Sequence, residues 1–314
     1  MQFLSIDVEK CADDVLEFIS KELIQLKNDK IDYSIDRVNN EGIDSIICKL
    51  IENKSQVKAP KQAYKALMLN VSNALADYII RYYEEKLIRR IVNSNYCYFS
   101  QTERKDILKE AFLTVRNEEK SFLNTLLQIR RRNIIVKNLM EYFENSNNVI
   151  LDGFVNFRLK DYIRDLEEIV EKAVDSFLME KEYKEFIKLL KYFVDIQEPK
   201  FDNIHVIAES EGKYNLLDDR YEEITNECIK EYLNEISEGE INYDDLLVSS
   251  LITLAPKKIT IHRTAHFKNK ELLETIRNIF QKNVVICKGC GICNATSATN
   301  KKSIKEAEIP DNIY

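Results

Sequence analysis

Tryptophan is absent, and glycine, proline and histidine are scarce: 314 residues hold six Gly, four Pro and three His. Each shortage excludes something. So few glycines leave little material for phosphate-cradling loops. No phosphate-binding glycine loop, nucleophile elbow or paired-histidine metalloprotease helix occurs. Few helix breakers imply long helices joined by few turns. Three histidines leave general acid–base chemistry mainly to carboxylates, so no catalytic signature supports an enzyme. No run of about 18 apolar residues is available for a membrane-spanning helix. The longest candidate, LLVSSLITLA at 246–255, is far too short. The N-terminal MQFLSIDVEKCADDVLEF lacks a basic leader and an apolar core, which predicts no signal peptide and a cytoplasmic chain. Disulfides are not expected there, and clustered cysteines point to metal binding or redox work.

What is present suits a soluble globular protein: 45% hydrophobic and 32% charged residues, with 16 Tyr and 14 Phe supplying aromatic volume. The net charge of −7 hides an asymmetry, because residues 57–147 carry 16 basic against 10 acidic side chains. A basic middle between acidic flanks either meets an anionic partner or attracts its own flanks, and the second reading is preferred.

Periodicity divides the chain into three segments. Residues 1–56 read as a small strand–helix–hairpin unit: a strand at 2–8, a helix at 12–29 with Val15, Ile19, Leu23 and Leu26 on one stripe, and a hairpin through NNEG. Residues 57–198 read as a helical bundle. One helix is predicted from Pro60 to about Tyr96, and a second opens at the Ser100–Glu103 capping box. A third covers 122–143, anchored by Leu126, Ile129, Ile134 and Leu139. The Asn-rich stretch after Asn145 and Asp152–Gly153 read as loop and turn. Three- and four-residue steps from Tyr162 through Phe177, Leu178, Phe186, Leu189 and Leu190 to Phe193 then make one long amphipathic helix or two abutting ones. Residues 199–314 read as a second α/β unit. It holds a hairpin, helices at 226–236 and 243–254, and a strand–helix–strand run with both strands parallel. The fold class is therefore α+β, predominantly helical.

The pieces LDGFVNFRLKDY, VDSFLMEKEYKEFIKLL and KKITIH resemble the YtxC-like family of sporulation proteins of endospore-forming bacteria. Residues 150–194 carry most of the likeness. The resemblance implies a sporulation setting and supplies no active-site residues.

Three cysteines in VVICKGCGIC, Cys287, Cys290 and Cys293, form the sharpest local signal. Two-residue gaps let successive thiolates converge on one centre. NATSATN follows without the fourth cysteine that an iron–sulfur motif ordinarily adds. Zinc needs four Cys or His ligands, and His262 and His266 in ITIHRTAHF are the available suppliers. In a parallel strand–helix–strand unit both strands end at one sheet margin, which brings His262 towards Cys287. Zinc is the first choice, an iron–sulfur cluster the second, and a metal-free cysteine tail the plain alternative.

The other candidates have plainer readings. Arg130, Arg131 and Arg132, with Arg89 and Arg90, form the densest basic group. Three consecutive helical positions fan across about 200°, so paired arginines are preferred to a nucleic-acid surface. Asp152, Arg158, Lys160 and Asp161 flank Phe154, Phe157 and Leu159 in a segment read as pinned to the bundle. His205 reads as a satisfied core histidine, and Cys11, Cys48, Cys97 and Cys228 as small packed hydrophobes. The sequence thus predicts a sporulation-associated protein that binds a protein partner or joins an assembly. A metal-dependent role is the alternative, and nucleic-acid binding the weaker third.

Overall fold

A computed structural model describes residues 2–40, 42–51, 60–116, 122–209, 212–224 and 242–294. It divides into two compact units, Met1–Met179 and Glu180–Tyr314. The architecture is α+β and predominantly helical.

Unit one begins with β1 (Phe3–Val8), whose alternation buries Leu4, Ile6 and Val8. Helix α1 (Ala12–Asn28) follows and buries Val15, Ile19, Leu23 and Leu26, the predicted stripe. It ends with Ile31 N–H bonded to Leu26 O and Lys30 N–H to Lys27 O, while Lys30 takes φ +57°. This paired closure satisfies the last carbonyls, although a lysine occupies the position that glycine fills most cheaply. Strands β2 (Tyr33–Asn40) and β3 (Ile43–Leu50) form the expected hairpin, and its connection includes Gly42 at φ +92°.

A three-residue strand, β4 (Asn148–Ile150), pairs parallel with β1 and completes a sheet of order β2-β3-β1-β4. A strand from beyond four long helices therefore finishes the sheet that the N-terminal residues begin. One hydrophobic core takes Leu4 and Ile46 together with Leu75, Leu139 and Leu166.

The helices are α2 (Pro60–Tyr82), α3 (Glu84–Asn95), α4 (Gln101–Arg116), α5 (Phe122–Phe143), α6 (Leu151–Arg158) and α7 (Lys160–Ile196). Four expectations need correction. The predicted single helix to Tyr96 is broken at Tyr83, which leaves Glu84 buried at 4% exposure. Tyr162 Oη donates to Glu84 Oε2 at 2.6 Å, and Arg131 Nε stands 3.3 Å from the same oxygen. The arginine's approach is too oblique for a hydrogen bond, so charge holds that pair. Burial raises the Glu84 carboxyl above its ordinary range, against the pull of Arg131 and Tyr162.

The second correction follows from the first. Arg131, Ile135, Leu139 and Phe143 form the inward ridge of α5, whereas Leu126 and Ile129, the predicted anchors, are exposed and Ile134 is half-buried. Third, Asp152–Gly153 is no turn. It lies inside α6, where Leu151, Phe154 and Val155 are buried. Fourth, α7 is one helix of 37 residues, one of the two expected alternatives, but only part of its predicted stripe is covered, Phe177 and Leu190 being half-buried against the cores. Tyr162, Leu166, Ile169 and Val170 are buried, while Leu178, Phe186, Leu189 and Phe193 are each at least 36% exposed. The Ser100–Glu103 capping box forms as predicted. Ser100 N–H donates to Glu103 Oε2 at 2.8 Å, and Glu103 N–H to Ser100 Oγ at 3.3 Å.

Unit two contains the sheet β6-β5-β7-β8, built from β5 (Asn203–Ala208), β6 (Tyr214–Leu217), β7 (Lys258–His262) and β8 (Val284–Ile286). The β5–β6 pair is antiparallel; β5–β7 and β7–β8 are parallel. Helix α8 (Tyr243–Leu254) is capped by Asn242, and α9 (Lys270–Phe280) by Asn269. Helix α9 buries Leu272, Ile276, Ile279 and Phe280 in a core with Ile204, Val206, Ile259 and Ile261. The helix expected at 226–236 lies outside the described residues.

Two substitutions test this packing. Glu84→Ala strands Arg131 in the core and is expected to cost about 3–5 kcal/mol in urea unfolding. A loss below about 1 kcal/mol would show that Arg131 reaches solvent. Gly153→Ala meets only Ile150 carbons at 3.9 Å. In a helix it should stabilise by about 0.5–1 kcal/mol, and a clear loss would restore the turn reading.

Candidate metal centre

His262 is the last residue of β7, and Cys287 directly follows β8. The parallel ladder sets them side by side, because Cys287 N–H extends it with a 2.9 Å bond to Ile261 O. The chain then turns through Gly289 at φ +126°, a conformation that L side chains rarely adopt. That turn points the Gly289 N–H at Cys287 Sγ, 3.4 Å away. A single helical turn, Gly291–Asn294, brings Cys293 onto the side of Cys290. Arg263 holds this turn against β7 by donating to Ile292 O at 2.8 Å.

The four side chains meet. Cys290 Sγ and Cys293 Sγ stand 3.4 and 3.5 Å from His262 Nδ1. The sulfur–sulfur distances are 3.8 Å for Cys290–Cys293 and 3.7 Å for Cys293–Cys287. All four ligand atoms lie within 4.8 Å of one another. A regular tetrahedron around zinc, with Zn–S of about 2.3 Å and Zn–N of about 2.05 Å, has S···S edges of about 3.8 Å and S···N edges of about 3.6 Å. Four of the six edges, those given above, agree with these values to within a few tenths of an ångström. A polynuclear iron–sulfur cluster spreads its thiolates over several irons and holds them farther apart. The donor set and its spacing therefore suit one tetrahedral ion.

Electrostatics point the same way. Burial, then the neighbouring His205 and Arg263, push the His262 imidazole down to about 4, so it is neutral at pH 7 with a free lone pair. Burial raises the Cys287 thiol to about 11, and the adjacent thiols add to this against the Gly289 N–H. Burial acts upward on Cys293 as well, but the backbone N–H groups of Cys290 and Arg263 and the two other thiols outweigh it and leave the thiol below its usual value. Three sulfurs this close cannot all ionise without a counter-charge, and a divalent cation supplies one.

A second layer supports the imidazole. His262 Nε2 lies 3.0 Å from His205 Nδ1, and His205 Nε2 lies 2.9 Å from the Asn203 side-chain nitrogen. Thr260 Oγ1 donates to Asn203 Oδ1 at 3.0 Å, and Tyr221 stacks on His205 at 4.7 Å. An ion on Nδ1 leaves the His262 proton on Nε2 to donate to His205 Nδ1. His205 then carries its proton on Nε2, which requires the Asn203 amide reversed so that its oxygen accepts there and its nitrogen donates to Thr260 Oγ1. His205 is thus hydrogen-bonded in the core as predicted, but against His262, which the sequence did not reveal. Its position one strand over from His262, at the register Ile207↔His262, was the available signal.

His266 stands apart. It closes the short turn Thr264–His266, and its Nδ1 lies 3.3 Å from Ala208 O. Cys48 is packed in the core as expected, and burial lifts its thiol to about 12. Cys11 and Cys97 are exposed, contrary to expectation, because both fall in connections beside helix ends. Cys228 lies outside the described residues.

The arginines pair with acids on other helices: Arg130 with Asp165, Arg131 with Glu84 and Arg132 with Asp77. Arg89 pairs with Glu85, and Arg90 donates to Asn156. Around α6, Phe154 and Leu159 are buried but Phe157 is 73% exposed. Asp152 accepts from Tyr83 Oη, Asp161 pairs with Arg164, and Arg158 lies over Tyr142.

The YtxC-like family model matches residues 69–285, more than half of the chain. This chain belongs to the YtxC-like family. A relative from Bacillus subtilis (strain 168), named "Uncharacterized protein YtxC", is 25% identical over 256 residues, covering 81% of this chain and 86% of that protein. No solved structure matches. The YtxC-like match takes in His205 and His262 but stops short of Cys287, so the cysteine cluster rests on the geometry of this chain alone.

Proposed function

We propose that this YtxC-like protein binds one zinc ion through His262, Cys287, Cys290 and Cys293. The observation that carries the reading is the set of ligand-atom distances: four of the six edges match those of a single-ion tetrahedron, and all four atoms lie within 4.8 Å of one another. All four positions are filled by protein, leaving none for water or substrate, so the ion is structural and not catalytic. It fastens the chain after β8 to the margin of the unit-two sheet. An iron–sulfur cluster is the second reading for the same residues.

The protein acts by binding, to a protein partner or within an assembly, in the cytoplasm of a sporulating cell. The sporulation setting is what the resemblance to the YtxC-like family implies, and the chain's membership of that family is what it rests on. The partner reading draws on α7, where Tyr183, Phe186, Leu189, Tyr192 and Ile196 are between 42% and 60% exposed. Apolar surface of that extent marks interaction faces. Among the described residues no helix is long and apolar enough to cross a membrane. The nucleic-acid reading loses its basis in Arg130–Arg132, whose charges are paired within the protein.

Protein purified without oxygen should carry about one zinc per chain by elemental analysis. Cys290→Ser and His262→Ala should lower that content, and His266→Ala should leave it unchanged. Metal-free protein from zinc-replete cells, or loss of metal in His266→Ala alone, contradicts the assignment. Deleting the gene in an endospore-forming host should reduce the yield of heat-resistant spores; an unchanged yield under all tested conditions removes the sporulation reading.

A further inference from the structure

Apart from the arginine triplet, unit one gathers two exposed lysines and two arginines on the face shared by α3 and α4. Helix α4 presents Lys105, Lys109, Phe112 and Arg116 at steps of four, three and four, which is one face of a helix. Arg89 of α3 stands opposite, and together they line a cleft of about 410 Å³ floored by Leu108 and Leu113. Among the described residues no acidic side chain lines it.

The two arginines are held in place. Arg89 lies 5.1 Å and Arg116 5.6 Å from the Phe112 ring centre, so both guanidinium groups rest against one aromatic ring. Glu85 binds Arg89 at 2.7 Å and approaches Arg116 at 3.5 Å, fixing them from outside the cleft. Lys105 and Lys109 are exposed and make no ion pair among the described residues. Like charges one helical turn apart repel, so this arrangement costs stability unless something anionic meets it.

We propose that this cleft binds a phosphate-bearing ligand of small-molecule size that carries two or more phosphates. Among the described residues four cations against one carboxylate give a net attraction for a multiply charged anion, and guanidinium forks match phosphate oxygens. The volume falls in the range of small-molecule sites. The cationic stripe runs about 16 Å along α4, longer than one phosphate can bridge. A nucleic-acid track would need the positive surface to continue. Around α4 from the stripe stand Glu103, Asp106 and Glu110, which confine the field to the cleft.

The test is calorimetric titration of the full-length protein with inorganic triphosphate, a nucleoside triphosphate, and a single-stranded oligonucleotide. Saturable binding of inorganic triphosphate is expected at about 50 mM salt, weakening as salt rises. Lys105→Gln with Lys109→Gln should weaken it about tenfold or more without lowering the melting temperature, because both side chains are exposed. Arg130→Gln, outside the cleft, should leave it unchanged. Tighter binding of the nucleoside triphosphate assigns the ligand to nucleotides, and equal binding to other polyphosphates; both uphold the site. Absence of saturable binding by either triphosphate, binding unaffected by the double lysine variant, or binding of the oligonucleotide alone would each overturn it.

Discussion

The structure of unit two depends on one parallel pairing, that of β8 with β7. Only three residues of β8 take part, and the bond from Cys287 N–H to Ile261 O carries the ladder one step further. That step sets a sulfur beside an imidazole. Helix α9 makes the pairing possible, because a parallel neighbour needs a crossover and α9 buries four apolar side chains while providing it. Each such side chain contributes about 1.5–3 kcal/mol when fully removed from water. The cysteine cluster is thus positioned by hydrophobic packing that contains no cysteine.

The cluster in turn explains polar features that would otherwise burden a small core. His262 is 3% and His205 9% exposed, and among the described residues neither has a carboxylate hydrogen-bonded to its ring. Two buried neutral imidazoles, an amide and a threonine hydroxyl form a chain that ends at three sulfurs. With the Asn203 amide oriented to accept from His205, such a chain fixes ring orientation, and leaving its end without a partner would carry the full cost of a buried polar group. In unit one the equivalent tension lies between Glu84, Arg131 and Tyr162, where charge and a short hydrogen bond settle it inside the protein.

Much of this was legible in the sequence where a physical signal is local. The Ser100–Glu103 box, the stripe of α1, the hairpin around Gly42 and the parallel strand–helix–strand run all follow from short-range spacing. So does the meeting of His262 with Cys287, which topology alone implies. The failures have non-local causes. Strand β4 is three residues long and exists only because β1 offers an edge. The break at Tyr83 serves a buried ion pair whose partners are 47 and 78 positions away. Leu126 and Ile129 were misplaced because Arg131, a charged residue, occupies the inward ridge of α5. Asp152–Gly153 has turn chemistry, yet the burial of Phe154 and Val155 overrides it. His266 has the right residue type in the wrong place, since the turn after Arg263 carries it to Ala208.

The central claim is that one ion sits among three sulfurs and one imidazole nitrogen. X-ray absorption at the zinc edge of the purified protein reads that shell directly. Three sulfur scatterers at about 2.3 Å and one nitrogen at about 2.0–2.1 Å are the expected result. A shell with fewer than three sulfurs, or one completed by water oxygen, would contradict the account.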